Sequence, residues 1–135
     1  MTTTYALSLK QPWATLLVHG LKTVEVRNWP ARRRGRILIH AARVLDPRPE
    51  AWSHVPRHLA EHALLVGGIV GVGDLTECVT YHNAQAFITD KPAHLNEADW
   101  FQPPVMYGFK FRNLVAQPFR VYSGWMRFFP VEEEK

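Results

Sequence analysis

Gly20-Leu21-Lys22-Thr23-Val24-Glu25-Val26-Arg27-Asn28-Trp29-Pro30 decides how the rest of the chain is read. The residues after Gly20 alternate. Val24 and Val26 fall on one face, while Thr23, Glu25, Arg27 and Trp29 fall on the other, which is the pattern of a half-buried strand that Pro30 ends. Working back from Gly20, Trp13, Leu16 and Leu17 stand at i, i+3 and i+4 behind Pro12, a good first helical residue, so a helix of about two turns is expected, with Gly20 as its stop. Ahead of that helix, Ala6 to Leu9 reads as a short apolar strand. Working forward, Arg32 to Gly35 is a basic turn, and Arg36 to Ala42 is apolar on both faces, as a buried strand requires.

The remaining chain is read in the same way. Trp52, Val55, Leu59 and Ala63 give a helical pattern within Asp46 to Leu65 that Pro56 interrupts and restarts. Gly68 to Val79 is the next strand, and Gly71 and Gly73 mark a bulge or a close approach of another backbone. Asn83 to Ile88 suits a short helix, and Asp90 to Val105, with Pro92, Pro103 and Pro104, a long surface loop. Met106 to Arg112 and Phe119 to Tyr122 read as two strands joined through Asn113 to Pro118, with a last strand over Trp125 to Val131. Many short strands and little helix predict an α+β fold, a small mixed β-barrel with short helices covering its ends.

A chain of 135 residues with 47% hydrophobic and 21% charged residues suits one globular domain, expected over 1–135 with its core at about 5–131 and a frayed tail at 132–135. Cys78 is the single cysteine, so no internal disulfide forms, and a reducing, cytoplasmic setting is expected. The first twenty residues lack the basic start and apolar run of a signal peptide. No apolar stretch approaches the roughly 18 residues of a membrane span, so no membrane partner is expected. Charge is uneven: residues 1–60 hold ten Lys/Arg against three Asp/Glu, whereas residues 61–135 hold six against nine. Arg27, Arg32, Arg33, Arg34 and Arg36 crowd one strand and turn without an acid between them, which suits either a polyanion site or a solvated loop.

Three patterns invite enzymatic readings and carry little. Gly68-Ile-Val-Gly71-Val-Gly73 has neither the spacing nor the following helix of a phosphate loop. His58-Leu-Ala-Glu61-His62 matches a zinc-hydrolase pattern, but the polar side of an amphipathic helix explains it as well, so no metal and no cofactor is expected. Cys78 lacks a neighbouring base. The stretch from Gln11 to His40 is more informative, because a helix start at Pro12 offers free amides, and Lys22, Glu25, Arg27 and Trp29 combine two cations, a carboxylate and a stacking ring. From spacing alone, a surface ion pair between Glu25 and Lys22 or Arg27 is the simpler reading.

Leu7-Ser8-Leu9-Lys10-Gln11-Pro12-Trp13-Ala14, then Leu17 through Arg27, Arg34-Gly35-Arg36 and Ile39-His40-Ala41 together resemble the ASCH family, the activating signal cointegrator homology domains. Gly20, Lys22, Glu25 and Arg27 match its G-x-K-x-x-E-x-R signature, and a looser likeness runs through Gly68 to Leu75 and Phe109 to Val121. The resemblance implies a PUA-like barrel that binds RNA, another nucleic acid or single nucleotides through a cleft. Carried over, Lys22, Glu25 and Arg27 line that cleft with Gln11, Trp29 and His40 near it, and Arg32, Arg33 and Arg34 supply phosphate contacts. Some relatives are amide hydrolases acting on a modified cytidine through a lysine, a threonine three positions later and a glutamate. Here Glu25 stands at the threonine's position, and a carboxylate does not replace a hydroxyl nucleophile. The enzymatic alternatives are therefore such a hydrolase or a ribonuclease, with Lys22, Glu25 and His40 as candidate catalytic groups. A third reading is an adaptor that offers Trp125 and Phe128 to a protein partner, whose identity the sequence leaves open.

Overall fold

A computed structural model describes residues 3–132. Its strands are β1 (Thr4–Leu9), β2 (Val24–Arg27), β3 (Gly35–Ala41), β4 (Gly68–Tyr81), β5 (Met106–Val121) and β6 (Phe128–Val131). Its α-helices are short: α1 (Trp13–Val18), α2 (Pro49–Trp52), α3 (Ala84–Thr89) and α4 (Lys91–His94). The strands form one sheet in the order β2-β5-β4-β3-β1-β6, in which β1 and β3 run parallel and the other neighbours antiparallel.

Although β2 and β6 are the two edges of that sheet, Trp29, just past β2, packs edge-on against Phe109 of β5 at 5.1 Å and Phe128 of β6 at 5.7 Å. The sheet therefore curls until its edges approach, making the mixed α+β half-barrel with short helices that the element order predicts. All six residues of α1 are buried. They lie against the sheet closely enough that a Cβ on Gly71 would stand 2.5 Å from Val18 Cγ1 and 2.5 Å from the Val115 carbonyl. The close approach expected at this glycine is thus the seat of α1, and the register of β4 shifts beside it.

The structure differs from the sequence reading in four places. The helical pattern of 46–65 becomes only α2 and two isolated 3-10 turns, Arg57–Leu59 and His62–Leu64. Pro56 holds an extended conformation between α2 and these turns, and Leu59 closes back onto the Pro56 carbonyl in a three-residue step, while Leu59 and Ala63 are still buried as the pattern demands. The two strands expected at 106–112 and 119–122 are one long β5. Its pairing jumps from Gly71↔Ala116 to Ile69↔Arg120, so Pro118 falls in a bulge where no ladder hydrogen bond is asked of it. The loop at 90–105 contains α4 and a 3-10 turn, and the last strand begins at Phe128, leaving Trp125 and Met126 exposed before it. Asn83 accepts a hydrogen bond from Ala86 N–H and so starts α3 as expected. Of the tail expected to fray, residues 133–135 lie outside the described residues.

Candidate functional site

Gly20, at φ +76°, ends α1 and lets the amides of Leu21 and Lys22 turn back onto the Leu16 carbonyl. The turn sends the Lys22 side chain beneath the helix, where it is 1% exposed. Its Nζ donates to the His94 carbonyl at 2.8 Å, meets Glu25 Oε1 at 3.2 Å and lies 4.7 Å from the centre of the Trp13 ring. Because residues two apart on a strand share a face, Arg27 reaches the same carboxylate. Its Nε (3.0 Å) and Nη2 (2.9 Å) both contact Glu25 Oε2, and Nη2 also donates to the Ser8 carbonyl at 2.8 Å, tying β2 to β1 across the gap between the sheet edges.

Burial alone would push the Glu25 carboxyl up, but the charges of Lys22 and Arg27 and their hydrogen bonds outweigh it and hold the group below its ordinary value, ionised. Burial pulls Lys22 down from the ordinary lysine value, against the opposing pull of Glu25. Two cations around one carboxylate leave an excess positive charge on this wall. The simple surface ion pair is corrected here: Glu25 is 8% exposed, and all three charges are held by defined partners.

The opposite wall comes from residues that the sequence reading passed over. Asp46, 4% exposed, accepts from Trp13 Nε1 at 2.7 Å and from Arg48 through both its backbone N–H (2.9 Å) and its guanidinium (2.7 Å). Burial raises the Asp46 carboxyl, but these donors prevail and bring it down to about 2. The Arg48 guanidinium lies 3.6 Å from the centre of the Trp100 ring, and Trp100 meets Trp13 edge-on at 6.2 Å. Asn96 adds an amide. Nothing in the local pattern marks these residues, since Asp46 and Arg48 precede a four-residue helix and Trp100 sits in what reads as a loop. Between the walls is a cleft of about 330 Å³, bordered by Lys10, Lys22, Arg27 and Arg48 against Glu25 and Asp46.

Other candidate residues are placed elsewhere. Gln11 is wholly buried: its Oε1 accepts from Thr15 N–H at 2.9 Å, and its Nε2 donates to the carbonyls of His62 (3.2 Å) and Leu65 (3.0 Å). It caps α1 and ties it to the 62–65 turn, so the helix start is closed by protein and offers no open anion site. Trp29 is occupied as the plug between β5 and β6. Arg33 lies 3.2 Å from the centre of the Tyr5 ring, Arg34 donates to the carbonyls of Ala31 and Arg33, and Arg32 is exposed. None of these three arginines lines the cleft. His40 is 2% exposed and lies on the far side of Ser8, whose Oγ is 2.9 Å from His40 Nδ1. His58 and His62 sit on successive 3-10 turns rather than on one helix face, and among the described residues no group of three or more His, Cys, Asp or Glu is placed to hold a metal ion. Among the same residues no helix is long and apolar enough to cross a membrane.

Comparison with known proteins agrees with this architecture. The sequence profile of the ASCH domain matches residues 7–127. Activating signal cointegrator 1 of Homo sapiens is 36% identical over 88 residues, covering 56% of this chain and 14% of that protein, and its Mus musculus counterpart is 35% identical over 98 residues, covering 64% and 16%. The matched part is thus about one seventh of the curated relatives' length. ASCH from Zymomonas mobilis has a similar fold, with a TM-score of 0.68 at 19% identity over 96% of this chain and 88% of that one. A serine-to-alanine mutant of the same Zymomonas mobilis protein gives a TM-score of 0.69 at 16% identity, covering 96% and 89%. With a domain profile matched over nearly all of its length and a half-barrel shared with a solved ASCH protein, the chain belongs to the ASCH domain family and has its PUA-like fold.

Proposed function

We propose that residues 1–135 form one ASCH unit that binds RNA or another nucleic acid by taking a single nucleotide into the cleft between the Lys22–Glu25–Arg27 wall and the Asp46–Arg48 wall. The PUA-like fold is generally linked to RNA binding. The observation that carries the reading is the pair of cations, Lys22 and Arg27, held rigidly around one buried carboxylate at the edge of a cleft of about 330 Å³. A volume of that order suits one small ligand. Fixed donors and an excess of positive charge suit a phosphate, and the planar Arg48 guanidinium, held against the Trp100 ring, borders the cleft where a base could stack on it.

The carboxylate's role in this reading is to position. Each oxygen of Glu25 already faces a cation, so it fixes Arg27 for the ligand, while Lys22, committed to Glu25 and the His94 carbonyl, adds its charge from beneath. Arg27 still has its Nη1 donors for a phosphate oxygen. The arginines at 32, 33 and 34 would meet phosphates further along a bound strand. A hydrolase acting on a modified nucleoside is less well supported, because Lys22, its candidate base, is already committed to Glu25 and the His94 carbonyl.

Titration with the four ribonucleoside monophosphates and an RNA oligomer tests the proposal. Wild type should bind without turnover and with salt-dependent affinity. Arg48→Ala, a change at the half-exposed mouth, should weaken all four nucleotides alike. Affinity unchanged in Arg48→Ala and in Arg27→Lys would overturn the cleft assignment, and conversion of the ligand would establish the enzymatic alternative.

A further inference from the structure

The cleft does not end at Ser8. Ser8 and Ala42, which border it on one side, also border a second depression of about 430 Å³ whose other walls include His40, Arg43, Gly124 and Trp125. The ridge between the two is narrow. Ser8 lies near the end of β1 and Ala42 just past β3, the parallel pair of the sheet, and Ala42 N–H donates to the Leu9 carbonyl at 2.8 Å.

The second depression has a built floor. His40 Nε2 lies 2.7 Å from the Tyr122 carbonyl, which can only accept, so this nitrogen carries the proton and Nδ1 accepts from the Ser8 hydroxyl. Burial favours the neutral ring, and the two contacts hold it between β1 and the chain after β5. The loop that follows rests directly on it: a Cβ on Gly124 would come within 2.6 Å of His40 Cε1. Trp125, next in the chain, borders the same depression. Trp125 is 72% exposed and Met126 73%. An indole this exposed contributes little to the core, yet it borders the same depression as a cation, Arg43, and among the described residues no carboxylate borders it.

We propose that the two depressions are one groove for single-stranded nucleic acid at least two nucleotides long, with one nucleotide in the cleft, the chain crossing the Ser8–Ala42 ridge, and the adjoining base stacked on Trp125 beside Arg43. This rests on the nucleotide reading of the cleft given above. An exposed aromatic face is what stacking on any base needs, and a lining that, among the described residues, holds a cation but no acid suits a phosphodiester better than a peptide. Ser8, its proton directed to His40, keeps oxygen lone pairs for a donor on the ligand as it crosses the ridge.

Calorimetric titration of the full chain with AMP, CMP, GMP and UMP, and with the corresponding 5′-phosphorylated homodinucleotides, tests the groove. Wild type should bind the preferred dinucleotide at least about tenfold tighter than its mononucleotide. Trp125→Ala should reduce that gain to about twofold or less, Trp125→Phe should keep most of it, and Arg43→Ala should lose part of it, all with mononucleotide affinity unchanged. Equal affinities for mono- and dinucleotide, or a gain that survives Trp125→Ala, would overturn the groove and leave the single-nucleotide cleft standing, as expected if Trp125 and Met126 instead meet a protein partner. Failure of every mononucleotide to bind would overturn the cleft reading and the groove with it.

Discussion

Two basic regions lie only a few residues apart in this chain, and they are physically opposite. Lys22 and Arg27 are enclosed, held at fixed distances around a carboxylate that has been taken out of water. Arg32, Arg33, Arg34 and Arg36 are exposed and satisfy themselves locally, as with Arg33 on the Tyr5 ring and Arg34 on nearby carbonyls. By charge count the second region looks like the binding site. By physics the first does, because donors that are already oriented and desolvated lose little freedom when a ligand arrives, whereas flexible solvated arginines give long-range attraction without geometry.

The largest effect that would break this contrast is on stability. Glu25→Ala should leave the Lys22 ammonium buried without its counter-charge and cost about 3–5 kcal/mol in a denaturant melt. Lys22→Met combined with Glu25→Gln should recover much of that stability, since the uncompensated charge is gone. A cost below about 1 kcal/mol for Glu25→Ala would mean that the wall behaves as an exposed pair.

A smaller effect is expected on binding. Arg48→Ala removes a charge-assisted interaction at the mouth and should weaken nucleotide binding by about 1–3 kcal/mol, and an unchanged isotherm would confine the site to the opposite wall. Acidity should act next. Burial holds His40 and His94 below the ordinary histidine value, so the native state binds fewer protons than the unfolded chain as pH falls. Their contribution is fully present above about pH 6.5 and declines below it, by up to about 1.4 kcal/mol per pH unit for each group. Urea midpoints measured from pH 8 to pH 5 should therefore be flat and then fall, and a flat profile throughout would show that the two imidazoles take up protons without cost.

The smallest effect is assigned to the exposed region. Replacing Arg32, Arg33 and Arg34 with alanine should change stability by no more than about 0.5 kcal/mol and leave mononucleotide affinity alone. It should flatten the salt dependence of RNA-oligomer binding by about one unit of slope for each phosphate that is no longer neutralised. Abolished mononucleotide binding in the triple variant would erase the distinction between the two regions.

Legibility followed locality. The helix at Pro12 to Gly20, the alternating strand after it and the apolar strand at 36–42 were readable because each rests on periodicity and on one punctuating Gly or Pro. The helical pattern at 46–65 misled because burial of Leu59 and Ala63 can be met by turns as well as by a helix, and Pro56 breaks the ladder. The single β5 was hidden because Pro118, usually a strand breaker, falls in a bulge. Among the candidate site residues, Lys22, Glu25 and Arg27 share one wall of the cleft. Gln11 and Trp29 carry the residue types of a binding site and are instead consumed by capping α1 and closing the barrel.

The sequence by itself determined the β-α-β-β opening, the shared face of Glu25 and Arg27 and the PUA-like family signature, because these depend on spacing along a single strand or turn. Only the tertiary structure decided that this face is buried rather than solvated, since Lys22 is enclosed by the nearby Trp13 ring and by the His94 carbonyl, brought from a distant part of the chain. It alone built the second wall from Asp46 and Arg48, with Trp100 behind Arg48, and brought Trp125 and His40 to one depression, and the reason is curvature. A sheet whose first and last strands are β2 and β6 must curl before residues so far apart in sequence can border one cleft.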